Sequence, residues 1–93
     1  MLWGAGFSYI RMWVIVWDEL KRATNLAKHG LDFADLAPEF FAQAKVVVAR
    51  NNRNKAIGRW QGRNLTVIFR PLGVEAISII SMRVASPSER RQI

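Results

Sequence analysis

Apolar positions along the chain follow two periods, and the change between them marks the elements. Trp13 to Trp17 (WVIVW) is a continuous run of β-branched and aromatic residues, which predicts a buried strand. Asp18 has the chemistry of an N-cap and Glu19 puts negative charge in the first turn of a helix, expected over about 19–29. Leu20, Ala23, Thr24 and Ala27 form the apolar stripe of that helix, while Lys21, Arg22, Asn25 and Lys28 face elsewhere. Gly30 ends it with a left-handed residue. Asp32 opens a second helix with Asp35 at the capping-box position. Phe33, Leu36, Ala37, Phe40 and Phe41 form its buried face, and Pro38 inside it should bend or shorten it.

After Ala44 the period drops to two. KVVVAR at 45–50, KAIGRW at 55–60, RNLTVIFR at 63–70 and AISIISMRV at 76–84 read as strands. They are joined by an NNRN turn, a tight Gln61–Gly62 link and a Pro71–Gly73 turn. Ser86, Pro87 and Glu89 then repeat the helix-opening chemistry of cap, proline and acid, so a short terminal helix follows. The expected fold is α+β: strand, helix, helix, a four-stranded antiparallel meander and a short C-terminal helix. Residues 13–93 form one domain, and the apolar, aperiodic residues 1–12 form an N-terminal extension, with Met12 an alternative start.

Composition narrows the function. Ninety-three residues, 51% of them hydrophobic, suffice for one core and no second lobe. Without cysteine there is no disulfide framework and no thiolate site, which fits a reducing cytoplasm. The extension lacks a basic n-region, is interrupted by Arg11 and is too short to span a bilayer, so no membrane association is expected. The formal charge of +7 is unevenly placed. Residues 1–44 hold four bases against five acids, whereas residues 45–93 hold ten bases against only Glu75 and Glu89. A partner of the second half should be an anionic polymer, with RNA the best candidate.

RNA can be cut without metal by in-line attack of its own 2′-hydroxyl. That needs a base at the hydroxyl, cationic donors at phosphorus and an acid at the leaving oxygen. The single histidine excludes a two-histidine mechanism and leaves His29, Lys21, Lys28, Glu89 and Tyr9 as proton carriers. Two carboxylates fourteen residues apart in the basic half disfavour a metal site, and no cofactor is expected.

Ordinary readings stand beside these. His29 before a helix-ending glycine can simply complement the helix dipole, and Lys21 and Lys28 can be a solvated face. By alternation Lys55, Ile57 and Arg59 share one strand face, and Ile79, Ser81 and Arg83 another. Arg59 and Arg83 therefore emerge beside apolar residues and lead the catalytic candidates, ahead of Arg63 and Arg70 at turn edges. Arg50, Arg53 and Lys55 read as a flexible phosphate-contacting loop or as a charged turn, and Trp60 either stacks on a base or packs.

The motif Trp17-Asp18-Glu19-x-Lys21-x3-Asn25-x2-Lys28-His29-Gly30-x2-Phe33 is followed by Ile57-Gly58, Gly62-Arg63-x-Leu65 and Ile79-Ile80-Ser81-x-Arg83-x-Ala85-x3-Glu89-Arg90. Together they resemble the BrnT family of type II toxins across residues 13–91. The resemblance implies a RelE-like fold and a ribonuclease that halts translation by cutting RNA. It also implies neutralisation by a BrnA-like DNA-binding antitoxin, with a dimer or heterotetramer as the assembly. The chain departs from the family pattern at Ser78, where an arginine is usual, at Met82, where a small residue is usual, and in a shortened segment before the strands. A non-catalytic nucleic-acid-binding module, or an inactive antitoxin-binding protein, is the alternative reading.

Overall fold

A computed structural model of the chain describes residues 14–93. The expected N-terminal extension, with Tyr9 and Met12, lies outside the described residues, as does Trp13. Strand β1 (Val14–Trp17) leads into helix α1 (Glu19–His29), a single 3-10 turn (Phe33–Asp35) and helix α2 (Pro38–Gln43). Strands β2 (Lys45–Val48), β3 (Asn54–Trp60), β4 (Arg63–Leu72) and β5 (Ala76–Val84) follow, and helix α3 (Pro87–Arg90) closes the order.

The strands form one sheet in the order β1-β5-β4-β3-β2. The meander is antiparallel, as its turn chemistry predicts, and β1 joins it parallel to β5, with Val14 opposite Ala76 and Trp17 opposite Ile79. That pairing corrects the expectation of a buried strand. At the sheet edge β1 turns Ile15 and Trp17 to the core while Val14 and Val16 stay exposed.

The segment from Leu31 to Ala44 covers one face of the sheet. Phe33, Leu36, Phe40 and Phe41 pack against Ala56, Leu65, Val67, Phe69, Ile77, Ile79 and Met82. The aromatic rings meet edge to face: Phe41 on Phe69 at 5.4 Å, Phe40 on Trp60 at 6.0 Å and Trp17 on Phe33 at 6.3 Å. Gly58 permits the close approach of α2, since a Cβ there would sit 3.3 Å from Ala44 and from the Phe40 ring. Trp60 packs into this layer and donates its indole N–H to the carbonyl of Asp35 at 3.0 Å, so it is a packing residue.

Pro38 does not bend a helix. It occupies the first turn of α2, after the chain has left the 3-10 turn through extended residues Leu36 and Ala37. A proline at that position loses no hydrogen bond, because the first helical N–H groups have no intrahelical partner.

Helix α1 has the predicted bounds. Asp18 accepts from Leu20 N–H at 2.8 Å, and Gly30 ends the helix at φ 69°. Its predicted apolar stripe is not buried: Leu20, Ala23, Thr24 and Ala27 are exposed, and Asn25 is the residue turned inward. The Asn25 amide donates to the carbonyls of Met82 at 2.8 Å and Leu31 at 3.2 Å and accepts from Met82 N–H at 3.0 Å. Strand β1 stops at Trp17, opposite Ile79, so the neighbouring stretch of β5 has no strand on that side. Asn25 supplies one residue's worth of ladder there. Arg22 adds a forked pair to Asp32 at 2.7 and 2.9 Å, tying α1 to the 3-10 turn.

Two turns use a consecutive pair of left-handed residues. Gln61 and Gly62 at φ 51° and 82°, and Asn51 and Asn52 at φ 59° and 58°, give the paired positive φ of hairpin turns matched to strand twist. The expected NNRN turn is thus a tight one, closed by Arg53 N–H on the carbonyl of Arg50 at 3.1 Å, with Arg50 and Arg53 flanking it and Lys55 already within β3.

Candidate active site

The face of the sheet away from the aromatic layer carries the charge. Between β4 and β5 the register slips: Ile68 is opposite Ser81 but Phe69 is opposite Ile79, leaving Ile80 as the extra residue of a bulge. Alternation therefore breaks, and the expectation that Ile79, Ser81 and Arg83 share a face is corrected. Ile79 lies in the core with Phe69, while Ser81 and Arg83 turn to the outer face with Ile68 and Thr66. Lys55, Ile57 and Arg59 share that outer face as predicted, since Ala56 and Gly58 between them meet the core.

Helix α3 folds onto this face and delivers Glu89. Ser86 and Glu89 make the predicted capping box, with Ser86 N–H on Oε1 at 2.8 Å and Glu89 N–H on the serine Oγ at 3.2 Å. Glu89 is only 4% exposed. Arg83 grips it with two donors, Nη1 on Oε1 at 2.7 Å and Nη2 on Oε2 at 2.9 Å. Lys55 Nζ reaches Oε2 at 3.0 Å, and the buried Thr66 hydroxyl donates to Oε1 at 2.8 Å. These hydrogen bonds, Arg83's above all, hold the carboxyl well below its ordinary value of 4.5, against the opposing effect of burial. The same contact raises Arg83.

Because Glu89 binds its proton less readily folded than unfolded, its contribution to stability is complete above about pH 4.5 and fades as pH falls below that. Asp32, lowered by Arg22, acts in the same direction. Thermal unfolding across pH 3–7 should show a melting temperature that drops on the acid side, with a shallower drop in Glu89→Gln. Equal acid slopes for the two proteins would contradict the assignment.

A second feature opens on the same face. Asp18 at the start of α1, Leu20, Lys21, Thr24, Asn25, Lys28 and His29 within it, and Ile80 and Ser81 of β5 line a cleft of about 390 Å³. Ser81 and Arg83 are two residues apart on one side of β5, roughly 7 Å, so the cleft and the Arg83 cluster are neighbours. Arg59 is exposed, 3.4 Å from the Asn64 amide oxygen, and lines another cleft of about 400 Å³ with Arg90. Arg50, Arg53, Arg63 and Arg70 are all exposed, and Arg70 stands directly opposite Ser78 in the β4–β5 register.

The structure thus brings Arg83, Lys55 and Glu89 into contact, gathers Lys21, Lys28 and His29 in the adjoining cleft, and leaves Arg59 and the remaining arginines around them. Thr66 had no signal in the sequence, and Asn25 stands in the motif without any sign in the apolar pattern that it turns inward. A threonine alternating with apolar strand residues, and an asparagine among helical polar residues, both look ordinary. Among the described residues no three His, Asp or Glu side chains converge as a metal site would require. No helix among them is long and apolar enough to cross a membrane.

Comparison with curated proteins returns no match. Among solved structures, the chain is similar to the Brucella abortus ribonuclease toxin BrnT, at 59% identity and a TM-score of 0.74, over 77% of this chain and 95% of that one. Residues 17–89 match the family described as ribonuclease toxin, BrnT, of type II toxin-antitoxin system. That span takes in α1 with its cleft residues, Lys55, Arg83 and Glu89, and the chain belongs to the BrnT family of type II ribonuclease toxins.

Proposed function

We propose that the outer face of the sheet cleaves RNA without a metal ion, by in-line attack of the substrate's own 2′-hydroxyl. The observation that carries this is the convergence on one face of a cationic pair, Arg83 with Lys55, and a cleft lined by Lys21, Lys28 and His29. Arg83 presents a fork of N–H donors to the phosphate, where negative charge builds in the transition state, and Lys55 adds a second cation. Arg59 flanks them. The proton carriers are His29 and Lys21 in the cleft, where a ribose next to the clamped phosphate reaches them. Lys28, Arg50, Arg53, Arg63 and Arg70 guide the RNA backbone as solvated charges. Arg70 adds a cation beside Ser78.

The RelE-like reading of the fold, a cytoplasmic toxin that halts translation and its neutralisation by a BrnA-like antitoxin complete the proposal. The antitoxin silences the enzyme by covering the basic face, and the assembly is a dimer or heterotetramer. The excess of ten bases over two acids in residues 45–93 supports an acidic covering surface.

The test is cleavage of purified RNA by the toxin refolded away from antitoxin, in excess chelator. Cutting at an undiminished rate is expected. Cutting that needs an added divalent ion contradicts metal independence, and a folded toxin that binds RNA without cutting it, alone or on ribosomes, makes the protein a binding module.

A further inference from the structure

Glu89 is one of few groups in the sequence able to carry a proton. A carboxylate offers about four acceptor positions, and five donors already converge on this one. Arg83 Nη1, the Thr66 hydroxyl and Ser86 N–H take Oε1, while Arg83 Nη2 and Lys55 Nζ share Oε2. With 4% of the residue exposed, the group is nearly closed to a substrate.

We infer that Glu89 is a positioning residue, a fixed carboxylate that holds Arg83 and Lys55 at the spacing of one phosphate group; the inference rests on the ribonuclease reading above. Both cationic nitrogens lie within hydrogen-bond distance of the same oxygen, so they are no more than about 6 Å apart. Two oxygens of a single phosphodiester can bridge that span. The side chains of Arg83 and Lys55 remain 34% and 29% exposed, and Arg83 spends two of its five N–H donors on Glu89. Two cations against one carboxylate leave a net positive charge that a phosphate completes.

The carboxylate itself cannot swing. Its backbone is fixed by the capping box, Ala85 N–H is bonded to the carbonyl of Asn64 at 2.9 Å, and Ala85 itself is buried. The C-terminal turn thus belongs to the active site. It pre-orients the two donors so that they need not reorganise as charge develops on the phosphate.

The test is Glu89→Gln, which keeps shape and removes charge. Affinity for a 2′-O-methyl oligoribonucleotide, which cannot be cut, should be unchanged or higher, because the site gains net positive charge. Cutting of the matching RNA at saturation should be at least tenfold slower. A merely structural role would lower both in proportion to the unfolded fraction, and that result, or cutting within twofold of wild type, overturns the inference. Arg83→Ala/Lys55→Ala/Glu89→Gln should cut no more slowly than Arg83→Ala/Lys55→Ala, since Glu89 acts through these two partners. If Glu89→Gln does not fold, Glu89→Asp replaces it: unchanged binding with cutting at least fivefold slower is expected, and wild-type cutting overturns the inference.

Should wild type not cut RNA at all, the ribonuclease reading fails and binding alone judges the clamp. Arg83→Ala and Lys55→Ala should then each weaken oligonucleotide binding at least fivefold in wild type but less than twofold in Glu89→Gln. Equal losses in both backgrounds overturn it.

Discussion

Arg83→Ala cuts RNA on the order of 10² to 10³ times more slowly than the wild-type toxin at saturating substrate, the loss expected when one pre-oriented donor to a developing negative charge is removed. Two contacts make this the largest single loss on the basic face. Arg83 is held by two bonds to Glu89 rather than waving in solvent, and it sits beside the cleft of Lys21, Lys28 and His29. The substitution also takes from a nearly buried carboxylate its strongest partner, leaving Lys55, Thr66 and Ser86 N–H. A half-exposed arginine lost from such a pair costs about 1–3 kcal/mol of stability, less than a fully buried pair would. Rates should therefore be compared well below the melting temperature of the variant. Arg83→Lys separates charge from geometry. It keeps the cation and loses the fork, and is expected to cut about tenfold more slowly. Arg83→Ala protein that is folded and cuts RNA at the wild-type rate would remove this residue from the site.

The largest expected loss of stability falls on a residue with no charge. In Asn25→Ala the N–H and C=O of Met82 and the C=O of Leu31 lose their partner in a buried position. Each orphaned group costs about 1–3 kcal/mol, partly recovered by relaxation, so a loss of about 3 kcal/mol is expected. In a domain of this size that lowers the melting temperature by roughly 10–20 °C. Aspartate is no substitute, because it has an acceptor for Met82 N–H, no donor for the two carbonyls and a charge to bury. Thermal unfolding followed by circular dichroism measures the loss. A shift of less than about 3 °C would mean that α1 is not fastened to β5 through this amide. Because α1 carries Lys21, Lys28 and His29, the same variant should also cut RNA more slowly at temperatures where it is still folded.

Local chemistry made much of the fold legible. The Asp18 and Gly30 caps, the Ser86–Glu89 box and the Gln61–Gly62 turn each occupy the place their side chains or backbone freedom predict. Two failures have the same physical origin, a non-local event that a local period cannot contain. The parallel pairing of β1 with β5 joins residues about sixty positions apart. The bulge at Ile80 shifts register by one residue, which moves every later side chain of β5 to the opposite face. Helix α1 misled for a different reason. Its apolar residues sit at helical spacing, yet it is fastened to the sheet by a polar side chain rather than by burying that stripe. Arg83, Lys55 and Glu89 could be picked out one by one as basic or acidic residues. Their contact depends on α3 folding back over β3, thirty-four residues away along the chain, and alternation within a strand carries no trace of it.

The chemistry is tested most directly by the ends of the cut RNA. With a 5′-labelled oligoribonucleotide, purified toxin and excess chelator, attack by the neighbouring 2′-hydroxyl leaves a 2′,3′-cyclic phosphate on one fragment and a 5′-hydroxyl on the other. A single 2′-deoxy nucleotide at the cut position abolishes the cut. Fragments ending in 3′-hydroxyl and 5′-phosphate, or cutting that survives the 2′-deoxy substitution, would contradict the account.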